Sequence, residues 1–193
     1  MFRNTNVHNL WTRQDGAVAV EFALIAIFLA GFIAFTSELA YRQSMIGKLD
    51  RIAYSLAGIM RERTQFFNGI EDDIRSQHDL GYMRNIAERI LKDTGYPYAT
   101  DEGNLKINLQ RMTFDYAETN NKAQRVGHLH TWYYPGCAAS DLPVPMEELS
   151  PYSTYNRWVT VYRVTVCLRD HSILSWFKPA KGMLTAHAIA VAR

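Results

Sequence analysis

A chain of 193 residues is long enough for one folded domain plus an appendage. Hydrophobic residues make up 48% and charged residues 21%, which excludes global disorder. A formal net charge of +2 with no basic run leaves no electrostatic footprint for nucleic acid.

The mean hydropathy of −0.21 averages over a very uneven distribution. From Ala17 to Ser37 the chain reads AVAVEFALIAIFLAGFIAFTS, with Glu21 its only charged residue. As a helix rising about 1.5 Å per residue, this stretch reaches roughly 31 Å, enough for a hydrocarbon core of about 30 Å. The uncharged run from Phe22 to Ser37 argues against the buried core helix of a soluble protein. A secretory signal would have an apolar region of about 7–15 residues followed by a small-residue cleavage site. Nothing after Ser37 resembles such a site, so the span is expected to be retained. Arg3 and Arg13 precede it, and Arg42, Lys48 and Arg51 follow it. The positive-inside rule is therefore silent on orientation.

Glu21 is the feature that needs a reason. A charge near the centre of a spanning helix costs roughly 2.5–3.5 kcal/mol on insertion scales, and less near the end. With a helix starting at Ala17, Glu21 would lie near the positive pole of its dipole. A cut between Gly16 and Ala17 would add a partner, because a free α-amino group ordinarily titrates near pH ~8 and is largely protonated at neutrality. Ala17 and Glu21 are four apart and share a helix face. Glu21 could pair with its own terminus or with that of a neighbouring subunit, which would set the register of packed helices. A plain interfacial carboxylate at the head of an anchor is the simpler alternative.

The run Gly16-Ala17-Val18-Ala19-Val20-Glu21-Phe22 resembles the processing site of type IV pilins and of the TadE/TadF pseudopilins. Tad proteins commonly carry Tyr after the Glu; here it is Phe22. The segment Leu49 to Arg63 resembles the region that follows the membrane helix in TadF-type proteins. The likeness is specific over residues 13 to 67 and weaker beyond. It implies a minor subunit of the tight adherence (Tad/Flp) pilus, cut by a prepilin peptidase. Implied partners are that peptidase, TadE-type subunits, inner-membrane Tad assembly proteins and membrane lipid. The implied location is the inner membrane, with the leader cytoplasmic and the larger portion periplasmic.

Beyond the span, Glu38 and Arg42 form an acid-to-base i,i+4 pair. Met45, Leu49, Ile52, Leu56, Ile59 and Met60 then recur at three- and four-residue steps, an amphipathic stripe. No proline interrupts 17–67, so one helix is expected, weakened at Gly31 and Gly58 unless these admit a close neighbour. Asn68-Gly69 is a stop signal, followed by an acidic connector with Glu71, Asp72 and Asp73. A second helix is expected from Asp79 to Asp93, with Leu80, Met83, Ile86, Ile90 and Leu91 inward, Arg84 and Glu88 paired outside, and Gly95 at its end.

After Tyr96-Pro97 the period changes. Leu105, Ile107 and Leu109 alternate with polar residues, and the phase slips near Arg111 to Met112, Phe114 and Tyr116, predicting a bulge. Val126 to Tyr134 is a second strand, and Pro143, Pro145 and Pro151 mark a loop. Trp158, Thr160, Tyr162, Val164, Val166 and Leu168 form a third strand face. Met183 to Val191 is extended by pattern, though its alanines also suit a helix. The expected class is α+β, pilin-like, with a small antiparallel sheet. The expected parts are a leader (1–16), a transmembrane helix (17–40), its amphipathic continuation (41–67) and a head (68–193).

Outside the cytoplasm, Cys137 and Cys167 would be expected to form a disulfide; two separate buried thiols are the alternative. His128 and His130 share a strand face without a third ligand, so no metal is expected, and His171 and His187 stand apart. No nucleotide, zinc-hydrolase, nucleophile-elbow or CxxC motif occurs, and neither an enzyme nor a cofactor is indicated. The competing reading is an uncleaved single-span protein with an extracytoplasmic binding or sensing domain.

Overall fold

A helix-forming segment without proline runs almost unbroken from the apolar span into the striped region, and the structure makes it one element. The computed structural model describes residues 15–66, 77–95, 103–115, 126–138, 144–155, 157–170 and 182–192. Residues 1–14 of the leader, the Asn68-Gly69 stop, the acidic connector, Tyr96-Pro97, Tyr116, Pro143 and His171 lie outside them. Helix α1 spans Asp15–Phe66, beginning two residues ahead of Ala17. The chain divides into two compact units after Gln43.

In the first unit, every residue from 18 to 37 is exposed, including Phe28 at 78% and Phe22 at 72%. Such a surface is unstable in water and suited to hydrocarbon. Thr36 returns its hydroxyl to the carbonyls of Phe32 and Ile33, both at 3.0 Å. That contact removes a polar group that lipid could not satisfy.

The second unit, from Ser44 onward, holds the rest of α1, helix α2 (Gln77–Asp93) and four strands. These are β1 (Leu105–Phe114), β2 (Gly127–Tyr133), β3 (Val161–Arg169) and β4 (Met183–Val191). All neighbours are antiparallel in the order β2-β1-β3-β4, so the β2–β3 connection must cross β1. The buried stripe of α1 is Met45, Leu49, Ile52, Ala53, Leu56, Ala57 and Met60. Ile59, expected in that stripe, is 39% exposed because Met60 already fills the next inward position. In α2 the buried positions are Leu80, Met83, Ala87 and Leu91, with Ile86 and Ile90 half-buried at the flanks.

Helix α2 packs on β1 and β2, and the sheet face built from Leu105, Ile107, Leu109, Val164, Val166 and Leu168 is buried, as are both helix stripes. Lys48 Nζ donates to the Thr94 carbonyl at 3.1 Å, and Arg63 pairs with Asp79 at 3.3 Å, joining the two helices. Arg84, paired with Glu88 at 2.7 Å, also lies 5.3 Å over the Tyr134 ring. Gly95 closes α2 with φ +87°, the left-handed conformation that glycine adopts without steric cost.

The bulge expected near Arg111 is not there: β1 keeps an unbroken register with both neighbours. The apparent phase slip arises because β1 is covered on both faces. Leu109 is buried under the helices, and Met112 is buried on the opposite side with Met146 and Val161. The third strand also starts later than expected. Trp158 lies before β3, in an isolated bridge with Tyr152, their rings edge to face at 5.0 Å.

A Cβ added to Gly58 would meet nothing within 4 Å. Gly58→Ala should therefore stabilise the full chain by about 0.5–1 kcal/mol through helix propensity. Thermal unfolding in detergent checks this; a lowered midpoint would mean that a neighbour occupies that space.

Candidate functional site

Three clusters hold the residues singled out by sequence. The first is the head of α1, which contains Gly16, Ala17, Glu21 and Phe22 within its first two turns. Glu21 and Phe22 are exposed, and among the described residues Glu21 makes no ion pair. The first N–H groups of any helix lack intrahelical acceptors, so the Gly16–Ala17 bond lies in the least restrained turn. One carboxylate in an otherwise apolar, outward-facing surface is a site that calls for a cationic partner.

The second cluster marks the end of that surface. Arg42 Nε donates to Glu38 Oε1 at 3.0 Å, the i,i+4 pair expected from sequence. The structure adds that Glu38 is buried, with its side chain 8% exposed against 38% for Arg42. An acid and a base four apart showed the pair; nothing in the local sequence showed the burial.

The third cluster lies on the sheet face away from the helices. Cys137 and Cys167 are joined by a disulfide with a Cα–Cα distance of 5.7 Å. The bond fastens the start of the β2–β3 connection onto β3. Asn108 Nδ2 donates to the Cys137 carbonyl at 3.1 Å, and Lys106 Nζ donates to the Pro135 carbonyl at 2.6 Å. Gly136, between those two anchors, has φ +87°, and a Cβ there would meet Lys106 Nζ at 2.9 Å. Further along, Ser150 Oγ donates to the Val159 carbonyl at 2.6 Å. Sequence reasoning missed this covered face, along with buried Asn108, Arg111, Arg163 and Thr165. Its available signal was Cys167, which shares β3 parity with Arg163 and Thr165 rather than with the apolar positions.

His128 Nε2 is 2.9 Å from Asp115 Oδ2, with both side chains more than half exposed. His130 stacks on Trp132 at 6.0 Å. His187 lies on β4, apart from them. Among the described residues, no three His, Cys, Asp or Glu side chains converge as a metal site. An open apolar groove of about 680 Å³ between the helices is lined by Gly58, Ile59, Tyr82 and Met83, among others.

One helix is long and apolar enough to cross a membrane, with none of its apolar window buried. Together with the disulfide-linked head, it defines a membrane-anchored subunit with an α+β domain. The family described as "Putative tight adherence pilin protein F" (TadF) matches residues 9–193, and the chain belongs to this family. It is a single-pass, pilin-like protein of a Tad pilus system, a setting that involves contact with other pilus and assembly components. No curated protein and no solved structure matches it.

The disulfide spans 30 residues of sequence. Chain-entropy arguments assign such a loop about 3–4 kcal/mol. Replacing both cysteines with serine should lower the stability of the full chain by about that amount, as measured by denaturant midpoint against the oxidised wild type. An unchanged midpoint would show that the connection is held without the bond.

Proposed function

We propose that this chain is a minor pilin-like subunit, matured by a prepilin peptidase between Gly16 and Ala17 and needed for Tad pilus assembly or secretion. The family match carries the reading: it begins at residue 9 and so spans the junction, where Glu21 stands four residues beyond Ala17. Cutting would leave Ala17 as the first residue of the helix and create a cationic amine on the face that carries Glu21. In lipid, pairing between that amine and a carboxylate is far less screened than in water. A Glu21 that accepts the terminus of an adjacent subunit would fix the axial register between two otherwise featureless apolar helices.

The disulfide supports a periplasmic head, since such bonds persist in oxidising compartments. The leader is then cytoplasmic and the span lies in the inner membrane. The partners are the peptidase, TadE-type subunits, inner-membrane Tad assembly proteins and lipid. The role is structural, without catalysis. Phe22, in place of the common Tyr, preserves an aromatic ring after the Glu and removes a hydroxyl.

Mass measurement of the mature N-terminus tests the proposal directly, and Ala17 is the expected first residue. Gly16→Val should leave the leader attached. Glu21→Ala should be cut normally yet fail to support pilus assembly. An intact Met1 terminus in cells that make the peptidase would favour the uncleaved single-span alternative.

A further inference from the structure

Sheet edges are ordinarily protected from pairing by lysine, proline or other charges on the edge strands. Here the distribution is reversed. The inner strands carry Lys106, Arg111, Arg163 and Arg169. The edge strands β2 (GHLHTWY) and β4 (MLTAHAIAV) contain no Lys, Arg, Asp, Glu or Pro. Within β2, His128, Leu129, His130, Thr131 and Tyr133 are exposed, with Leu129 at 51%. Among the described residues, no strand pairs with the outer side of either edge.

We infer that β2 is an interaction surface for a second copy of this chain, which adds its β4 antiparallel to β2. Strand directions alternate across the four strands, so β2 and β4 point opposite ways. A copy displaced sideways, without being turned over, thus places its β4 antiparallel to β2 and continues the alternation. The side chains distinguish this from symmetric pairing. On the helix-bearing face, β2 carries exposed His128 and His130 and half-buried Trp132, whereas β4 carries only alanines there, Ala186 and Ala188 buried and Ala190 half-buried. The register that sets Trp132 opposite Ala186 and His128 opposite Ala190 places each β2 ring beside a small β4 residue. On the other face, it brings Leu129 to Ile189, Thr131 to His187 and Tyr133 to Thr185. Such cross-strand matches each contribute roughly 0.2–1 kcal/mol over alanine pairs. Pairing β2 with β2 instead opposes ring to ring, and β4 with β4 opposes alanine to alanine. The favoured contact uses two different surfaces, so it is head-to-tail and does not close as a dimer.

The inference is independent of processing at Gly16. Full-length Thr131→Cys and His187→Cys chains, carrying different tags, are co-expressed and oxidised in membranes. Retention of the Cys137–Cys167 bond is checked by non-reducing peptide mapping. A cross-link between the two different variants is expected, and it should be lost when Leu129→Lys is added to the Thr131→Cys chain. Cross-links only between identical variants, no cross-link at all, or one that survives Leu129→Lys would each overturn the proposal.

Discussion

The structure depends on a change of pattern within a single helix. Up to Ser37, α1 is apolar on every side; from Met45 on, it is apolar along one stripe. An all-round apolar surface can be covered only by lipid or by other helices. A stripe can be covered by the rest of a folded domain, and in this protein it is: the α1 stripe is buried within the unit that also holds α2 and the strands. Glu38 and Arg42 lie between the two regimes. An ion pair there is tolerable because it lies at neither a bilayer centre nor the centre of the sheet core. Residues 44–66 fall in the same compact unit as α2 and the strands.

Patterns of regular period were legible in the sequence. The span, its helical continuation, α2 and the strand-rich ending all follow from 3.6- and 2-residue periods, and the α+β class follows from their order. What could not be read was any effect of covering the second sheet face. Period reasoning assumes one buried face per strand. It therefore read Met112 and Phe114 as a slipped phase, although they pack with Val161, Ile189 and Met146 on the side opposite Leu109. Ile59 was misplaced for the opposite reason: a stripe wide enough to include both Ile59 and Met60 exceeds what the core covers. The burial of Glu38 lay beyond reach because spacing alone gives the pair with Arg42 and not its exposure.

The second face also explains why buried polar groups sit in the two inner strands. Asn108 and Lys106 hold the carbonyls of Cys137 and Pro135, and Arg163 Nη1 donates to Gln110 Oε1 at 3.3 Å. An irregular segment laid over a sheet brings backbone carbonyls that cannot join a ladder, and side chains from the sheet must satisfy them. The disulfide and these donors thus serve one end. They fix an irregular cover over β1 and β3 where a helix would otherwise be needed.

This division of labour shapes the molecule's available contacts. Over β1 and β3 the sheet is covered on both faces, whereas β2 stays open on both of its own faces. The edge strands lack the charges that usually prevent pairing, whereas the inner strands carry the cations, with Arg111 and Arg163 buried. A selective pressure for solubility alone would favour the reverse arrangement. At the other end of the chain, the apolar helix offers lipid and neighbouring helices a surface with one carboxylate, Glu21, as its only charged landmark. The two surfaces differ in kind. Helix packing in lipid is non-directional until a charge sets its register, whereas strand addition is directional by its hydrogen bonds. If both serve as proposed, Glu21 sets the register between helices and the strand edges set the pairing of heads, two contacts specified by different chemistry.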